Sequence, residues 1–237
     1  MIGTSGFSYQ HWRGVFYPDR LAPSHWLSYY AAHFETVELN TTFYRLPSEA
    51  AVLRWLSLAP MHFRFAVKLS RYITHTKRLL DAGDALARFL ARVGVLKDHL
   101  GPILIQLPPQ MQKNLPRLEA FLQLCSPTYQ WAIEFRNDDW LADDTYQLLK
   151  KTGVALCIHD MIRNHPRVCT AEFTYVRFHG YDTRYGGDYP DFMLQEWSEQ
   201  LHAWQLENIG GFVYFNNDAH GYAVKNAMTL KSMFRGS

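Results

Sequence analysis

The stretch Trp131-Ala132-Ile133-Glu134-Phe135-Arg136 is an apolar run that ends in charge. Its length and oiliness suit a strand buried on both faces, yet Glu134 and Arg136 stand two residues apart and so point to one side. The same ending recurs at Glu38 and Asn40, Lys68, Gln106, Asp160, Arg177 and His179, and Asn216 and Asp218. A glutamate held near Arg or Lys stays ionised and can act as a general base or bind hydroxyls, which makes Glu134 and Glu38 candidate catalytic groups. His179 is the candidate second acid–base group, because an ordinary imidazole changes charge near neutral pH. Lys68, Arg136 and Arg177 form a candidate electrostatic clamp for an anion, with Asn40, Asp160, Asn216 and Asp218 beside them. Tyr9, Trp12 and Tyr44 are candidate ligand-stacking rings on the rim, whereas Phe43 and Trp140 are expected to pack beneath the loops.

Other chemistries fit less well. In the competing arrangement Glu134 and Arg136 serve only as ion pairs closing the strand ends, but desolvating Glu38, Lys68, Glu134, Arg136, Arg177 and His179 together is expensive without a purpose. His159, Asp160, Glu38, Glu134 and His179 could approach a divalent cation, but no tight ligand spacing supports this and three basic residues would oppose it. The expectation is therefore no metal and no cofactor. Cys157 lies inside an apolar run, a poor place for a nucleophile, and no glycine-rich phosphate loop is present.

These tips need a scaffold that brings strand ends together. Ile2–Thr4, 34–39, 63–69, 103–107, 131–136, 155–158, 175–178 and 211–215 read as strands, nearly all separated by helical periodicity. Ser24, Ser48 and Asp143 are expected helix caps, and Gly153 sits where a helix end needs positive φ. The segment 161–173 is too short and irregular for a good helix. This is the pattern of a (β/α)₈ barrel, with a doubly wound sheet as the competing arrangement. Neither repeat nor linker is evident, so residues 1–237 are expected to form a single domain. In many barrels a phosphate site lies after strands seven and eight, which points here to Gly186-Gly187 and Gly221.

A formal charge of +2 is too mild for a general nucleic-acid or membrane surface, so anion affinity must come from local clustering. Three cysteines, none spaced Cys-x-x-Cys, fit a reducing compartment. With no apolar leader after Met1 and no run long enough to span a bilayer, a cytoplasmic protein is expected.

Several segments, in order, resemble one family. They include Gly3-Thr4-Ser5-Gly6-Phe7-Ser8-Tyr9, Phe16-Tyr17-Pro18, Thr36-Val37-Glu38-Leu39-Asn40-Thr41-Thr42-Phe43-Tyr44, Phe65-Ala66-Val67-Lys68, Ile73-Thr74-His75 and Gln106-Leu107-Pro108-Pro109. Ile133-Glu134-Phe135-Arg136, Tyr175-Val176-Arg177-Phe178-His179-Gly180 and Tyr214-Phe215-Asn216-Asn217-Asp218 continue the series. The chain resembles the YecE-like family, the domain of unknown function 72, from end to end. The resemblance implies a TIM-like barrel of cytoplasmic, mostly bacterial proteins and no established reaction. One departure stands out: Asn137-Asp138-Asp139-Trp140 follows Arg136 where the family has His and then Ser-Trp.

The leading expectation is an enzyme using metal-independent acid–base chemistry on a small anionic ligand, a sugar phosphate or nucleotide. A non-catalytic nucleotide or single-stranded nucleic-acid binder and a metal-dependent hydrolase or isomerase are the alternatives. The oligomeric state is left open.

Overall fold

A computed structural model describes residues 1–236. Among these, eight strands form one parallel sheet: β1 (Ile2–Thr4), β2 (Thr36–Leu39), β3 (Arg64–Lys68), β4 (Leu100–Gln106), β5 (Trp131–Glu134), β6 (Ala155–His159), β7 (Phe173–Phe178) and β8 (Gly210–Phe215). From β2 to β8 each strand pairs with the next in sequence, and β1 pairs with β8. The ends of the sheet meet again where Ser5 bridges Glu38, so the sheet curls into a nearly closed barrel rather than a doubly wound layer.

Helices α1 (Trp26–His33), α3 (Glu49–Leu58), α4 (Gly83–Val93), α5 (Leu115–Leu122), α6 (Asp143–Thr152), α7 (Asp191–Leu206) and α8 (Tyr222–Gly236) alternate with the strands. A single helical turn, α2 (Thr41–Tyr44), follows β2 directly. The connection from β6 to β7 carries no helix, as its irregular sequence predicts. Ser48 caps α3 by accepting from the Ala51 amide, and Gly153 ends α6 at φ 67°. Two expected caps fail. Pro23–His25 forms a 3₁₀ turn ahead of α1, so Ser24 caps nothing. Asp143 is already inside α6, whose N-cap is Ala142.

Alternation along the strands builds two separate apolar regions. Outward residues such as Ile133, Val176 and Val213 pack against the helices. Inward residues make a smaller cluster in which Ala66, Leu104, Ala132 and Ala155 face Phe173, Tyr175, Phe212 and Tyr214. Small residues on one side leave room for rings from the other, and this fills the barrel to interior density. The next inward positions along β2, β5 and β7 are Glu38, Glu134 and Arg177, so a charged layer lies directly on an apolar floor.

The β1–β2 joint is built differently from the rest. The Tyr30 hydroxyl, from α1, accepts from the Thr4 amide at 2.9 Å and donates to the Thr36 carbonyl at 3.1 Å. It thereby joins two backbones between which no strand ladder forms. Gly3 makes this possible, since a Cβ there would run into the Thr36 carbonyl oxygen and crowd the Tyr30 hydroxyl. Tyr30→Phe keeps the ring but strands two buried backbone groups, and is expected to cost about 1–3 kcal/mol. Urea unfolding at unchanged m-value measures it. A loss below about half a kcal/mol would mean the hydroxyl does not hold the joint.

Candidate functional site

The charged layer is organised around one guanidinium. Arg177 is buried on β7, with Nη1 2.5 Å from Glu134 Oε2 and Nη2 2.9 Å from Glu38 Oε1. Glu38 also accepts from the Ser5 hydroxyl at 2.6 Å and the Tyr175 hydroxyl at 2.5 Å. The other oxygen of Glu134 is taken by Arg136 Nε. Burial alone would raise the Glu134 carboxyl, but Arg177 and Arg136 hold it well below its ordinary range. Both glutamates are fully buried and multiply bonded. They hold Arg177 in place, and Arg177 neutralises them. Each carboxylate is thereby held by an arginine and kept from water, and for Glu134 that pairing favours the ionised form over proton uptake.

His179 is buried at the end of β7. Its Nε2 lies 3.3 Å from Arg136 Nη2 and 3.8 Å from Glu134, and the Asn216 carboxamide lies 3.2 Å from Nδ1. Burial, reinforced by Arg177, pushes its pKa down to about 3. The expected titration of His179 near neutral pH is therefore displaced far into acid. His159, whose Nε2 lies 2.7 Å from the Phe135 carbonyl, is likewise pushed down to about 4 by burial.

Above this layer a cavity of about 270 Å³ opens, lined by Asn40, Tyr44, Lys68, Arg136, Arg177, Tyr185, Asn216 and Asp218. Lys68 comes from the end of β3, and its Nζ sits 4.2 Å from the Phe43 ring centroid. Among the described residues it makes no hydrogen bond or close ion pair, although it is only 8% exposed. Burial, and then the neighbouring Arg177, lower its pKa to about 8. Asp218 accepts from Trp12 Nε1 at 2.7 Å, and burial lifts its carboxyl above the ordinary range. The Asn40 side-chain oxygen is buried without a partner.

Most of the expected ligand-binding residues thus meet in one place, and three do not. Asp160 turns aside to accept from the His179 amide at 2.9 Å and from the Tyr189 hydroxyl, fixing the start of the loop after β7. Trp12 is wholly buried beneath its loop, holding Asp218 instead of offering a ring face. Tyr9 lines a neighbouring groove with Phe7, Leu39 and Trp55, and its hydroxyl donates to the Ser5 carbonyl at 2.6 Å. Gly187 and Gly221 also face away from the cavity, one against Asp182 and the other against Val15 and Trp12. Among the described residues no group of three or more His, Cys, Asp and Glu is arranged to hold a metal ion, since Arg177 occupies the space between the two glutamates. Ser5 and Tyr175 went unrecognised in the sequence. Tyr175 stands two residues before Arg177 on the same strand face, which is the signal that marks it.

Stability should follow the buried histidines. Their folded pKa values lie below the ordinary 6.5, so the unfolded chain takes up protons first as pH falls. Their neutral burial is favourable above pH ~6.5 and loses ground on the order of 1 kcal/mol per unit per histidine below it. Glu134, also depressed, acts in the same sense at still lower pH. Urea midpoints are expected to drop from pH 7 to pH 5, and a flat profile over that interval would contradict the buried, neutral imidazoles.

The match to known proteins covers the whole chain. A family model described as "Protein of unknown function DUF72" matches residues 1–237. The UPF0759 protein YecE of Escherichia coli K12 is 35% identical over 117 residues, covering 49% of this chain and 43% of YecE. The chain thus spans less than half of that relative in the matched region. The UPF0759 protein YunF of Bacillus subtilis is 26% identical over 249 residues, covering 90% of this chain and 88% of YunF. The crystal structure of a DUF72 family protein from Thermotoga maritima superposes with a TM-score of 0.87 at 29% identity, covering 99% of this chain and 98% of that one. With the family model, the relatives and the barrel in agreement, this chain belongs to the DUF72 family.

Proposed function

We propose that the cavity binds a small anionic ligand, a sugar phosphate or nucleotide, and performs metal-independent acid–base chemistry on it. One observation carries the reading: Lys68 is a buried cation on the cavity wall with no carboxylate partner. An unpaired buried charge is costly unless a ligand completes it. Arg136 adds a second cationic edge, and the Asn40 oxygen offers an unused acceptor for a hydroxyl.

Within this reading the roles expected for Glu134, Glu38 and His179 shift. Catalytic acids and bases work best with pKa values near the operating pH. Glu134 and His179 are driven away from it, whereas the Lys68 amine is lowered toward it and the Asp218 carboxyl raised toward it. We assign Lys68 and Asp218 the proton transfers and give the two glutamates and His179 the task of positioning Arg177 and Arg136. No helix among the described residues is long and apolar enough to cross a membrane, and the three cysteines are unpaired, which supports a cytoplasmic setting. A polynucleotide is the less favoured ligand, because the cations converge on one small cavity of about 270 Å³ and not along a groove.

The test is thermal shift with inorganic phosphate, sugar phosphates and nucleotides against their dephosphorylated forms. A ligand at a hundredfold over Kd stabilises by roughly 2.7 kcal/mol, on the order of 5–10 °C for a chain of this size. Arg136→Met is expected to lose most of that rise. Equal shifts with and without the phosphate group would sink the anion reading.

A further inference from the structure

We infer that Lys68 is a carbonyl-reactive amine, which forms an imine with an aldehyde or ketone carbon of a small anionic ligand held in the cavity. The inference rests on the anion-binding reading above for the choice of ligand, and on separate geometry for the chemistry.

A lysine that forms imines must be reachable, desolvated and free of a carboxylate that would keep it protonated. Lys68 meets each condition. Its ammonium lines an open cavity, and the Phe43 ring lies 4.2 Å away on one side. The carboxylates that could have paired with it, Glu38 on β2 and Glu134 on β5, are engaged by Arg177 instead. Four further charged or titratable groups face it: Arg177 from β7, Arg136 beyond β5, and Asp218 and His75 from the loops. Burial comes first and the arginines add to it, outweighing the attraction of the glutamates, so the amine titrates at about 8. At neutral pH about a tenth of it is the free base, against fewer than about one in a thousand of an ordinary lysine.

The step balances without a further reagent. The nitrogen gives up a proton, and its lone pair attacks the carbonyl carbon, forming the C–N bond while the π pair moves to oxygen. That oxygen takes up protons and leaves as water, breaking the C–O bond. Ammonium plus carbonyl thus becomes iminium plus water. Asp218, on the same wall, is placed to shuttle those protons, and Arg136 to hold the anionic group of the ligand. The ligand class that this selects is a phosphorylated or carboxylated aldehyde or ketone of a few carbons, a size that suits a cavity of about 270 Å³.

The experiment incubates the whole chain at pH 7 with glyceraldehyde 3-phosphate, pyruvate or uncharged glyceraldehyde. Sodium borohydride then reduces any imine to a stable secondary amine, and peptide mass spectrometry locates it. Lys68 is expected to label at least tenfold faster than exposed lysines such as Lys151, and faster with the anionic probes than with glyceraldehyde. Lys68→Arg keeps a cation in place. It is expected to lose the adduct while still gaining thermal stability with inorganic phosphate. Labelling spread over surface lysines with Lys68 untouched would overturn the inference. If phosphate still raises the melting temperature in that case, the anion reading survives alone. Fast labelling of Lys68 by glyceraldehyde as well as by the anionic probes, with no stabilisation by phosphate, would uphold the amine and sink the anion site.

Discussion

The geometry of the barrel mouth depends on Arg177 being clamped between Glu38 and Glu134. Three charges buried on an apolar floor are tolerable only when each is paired and hydrogen-bonded. Here Ser5 and Tyr175 complete Glu38, and Arg136 completes Glu134. The triad joins β2, β5 and β7, which lie far apart around the ring. It therefore fixes the cross-section of the barrel at the level where the cavity begins.

A second effect follows from the same saturation. With both glutamates committed to Arg177, Lys68 is left as a desolvated cation without a close counter-charge, and His179 is held neutral by burial, with Arg177 adding to it. The strand ends thus divide into a lower tier of mutually satisfied charge and an upper tier in which the Lys68 ammonium and the Asn40 oxygen lack partners. Binding energy from a ligand would go to the upper tier, where a partner is missing.

Much of this was legible in the sequence because period-two alternation is strict. Glu134 with Arg136, and Arg177 with His179, identify one strand face without any structure, and the barrel follows from eight such runs separated by helical stretches. What could not be read was which opposite charges would pair across the ring. Those contacts join residues well separated in the chain, 43 positions for Arg177 and Glu134 and 139 for Arg177 and Glu38, and depend on stagger that no local spacing reveals. Burial and the neighbouring charges then set pKa, and this is why the His179 imidazole, ordinary in the sequence, is pushed down to about 3 in the fold. Two of the three rim rings are drawn away for a related reason, while Tyr44 stays on the cavity wall. Trp12 carries a hydrogen-bond donor as well as a ring face, and Asp218 captured the donor. Helix starts were less legible still, since the 3₁₀ turn before α1 moves the cap away from Ser24.

The Tyr30 hydroxyl at the β1–β2 joint also gives the ring a built-in clasp. Every other joint in the barrel is made of repeated backbone bonds, but this one is fastened by a side chain borrowed from α1, with the Ser5–Glu38 bridge above it. Closure of the circle is therefore conditional on a helix that lies outside it. A displacement of α1 would remove the Tyr30 link between the first and second strands and leave the Ser5–Glu38 bridge to hold them. Because Ser5 also steadies Glu38, parting the clasp would loosen the grip on Arg177 across the barrel.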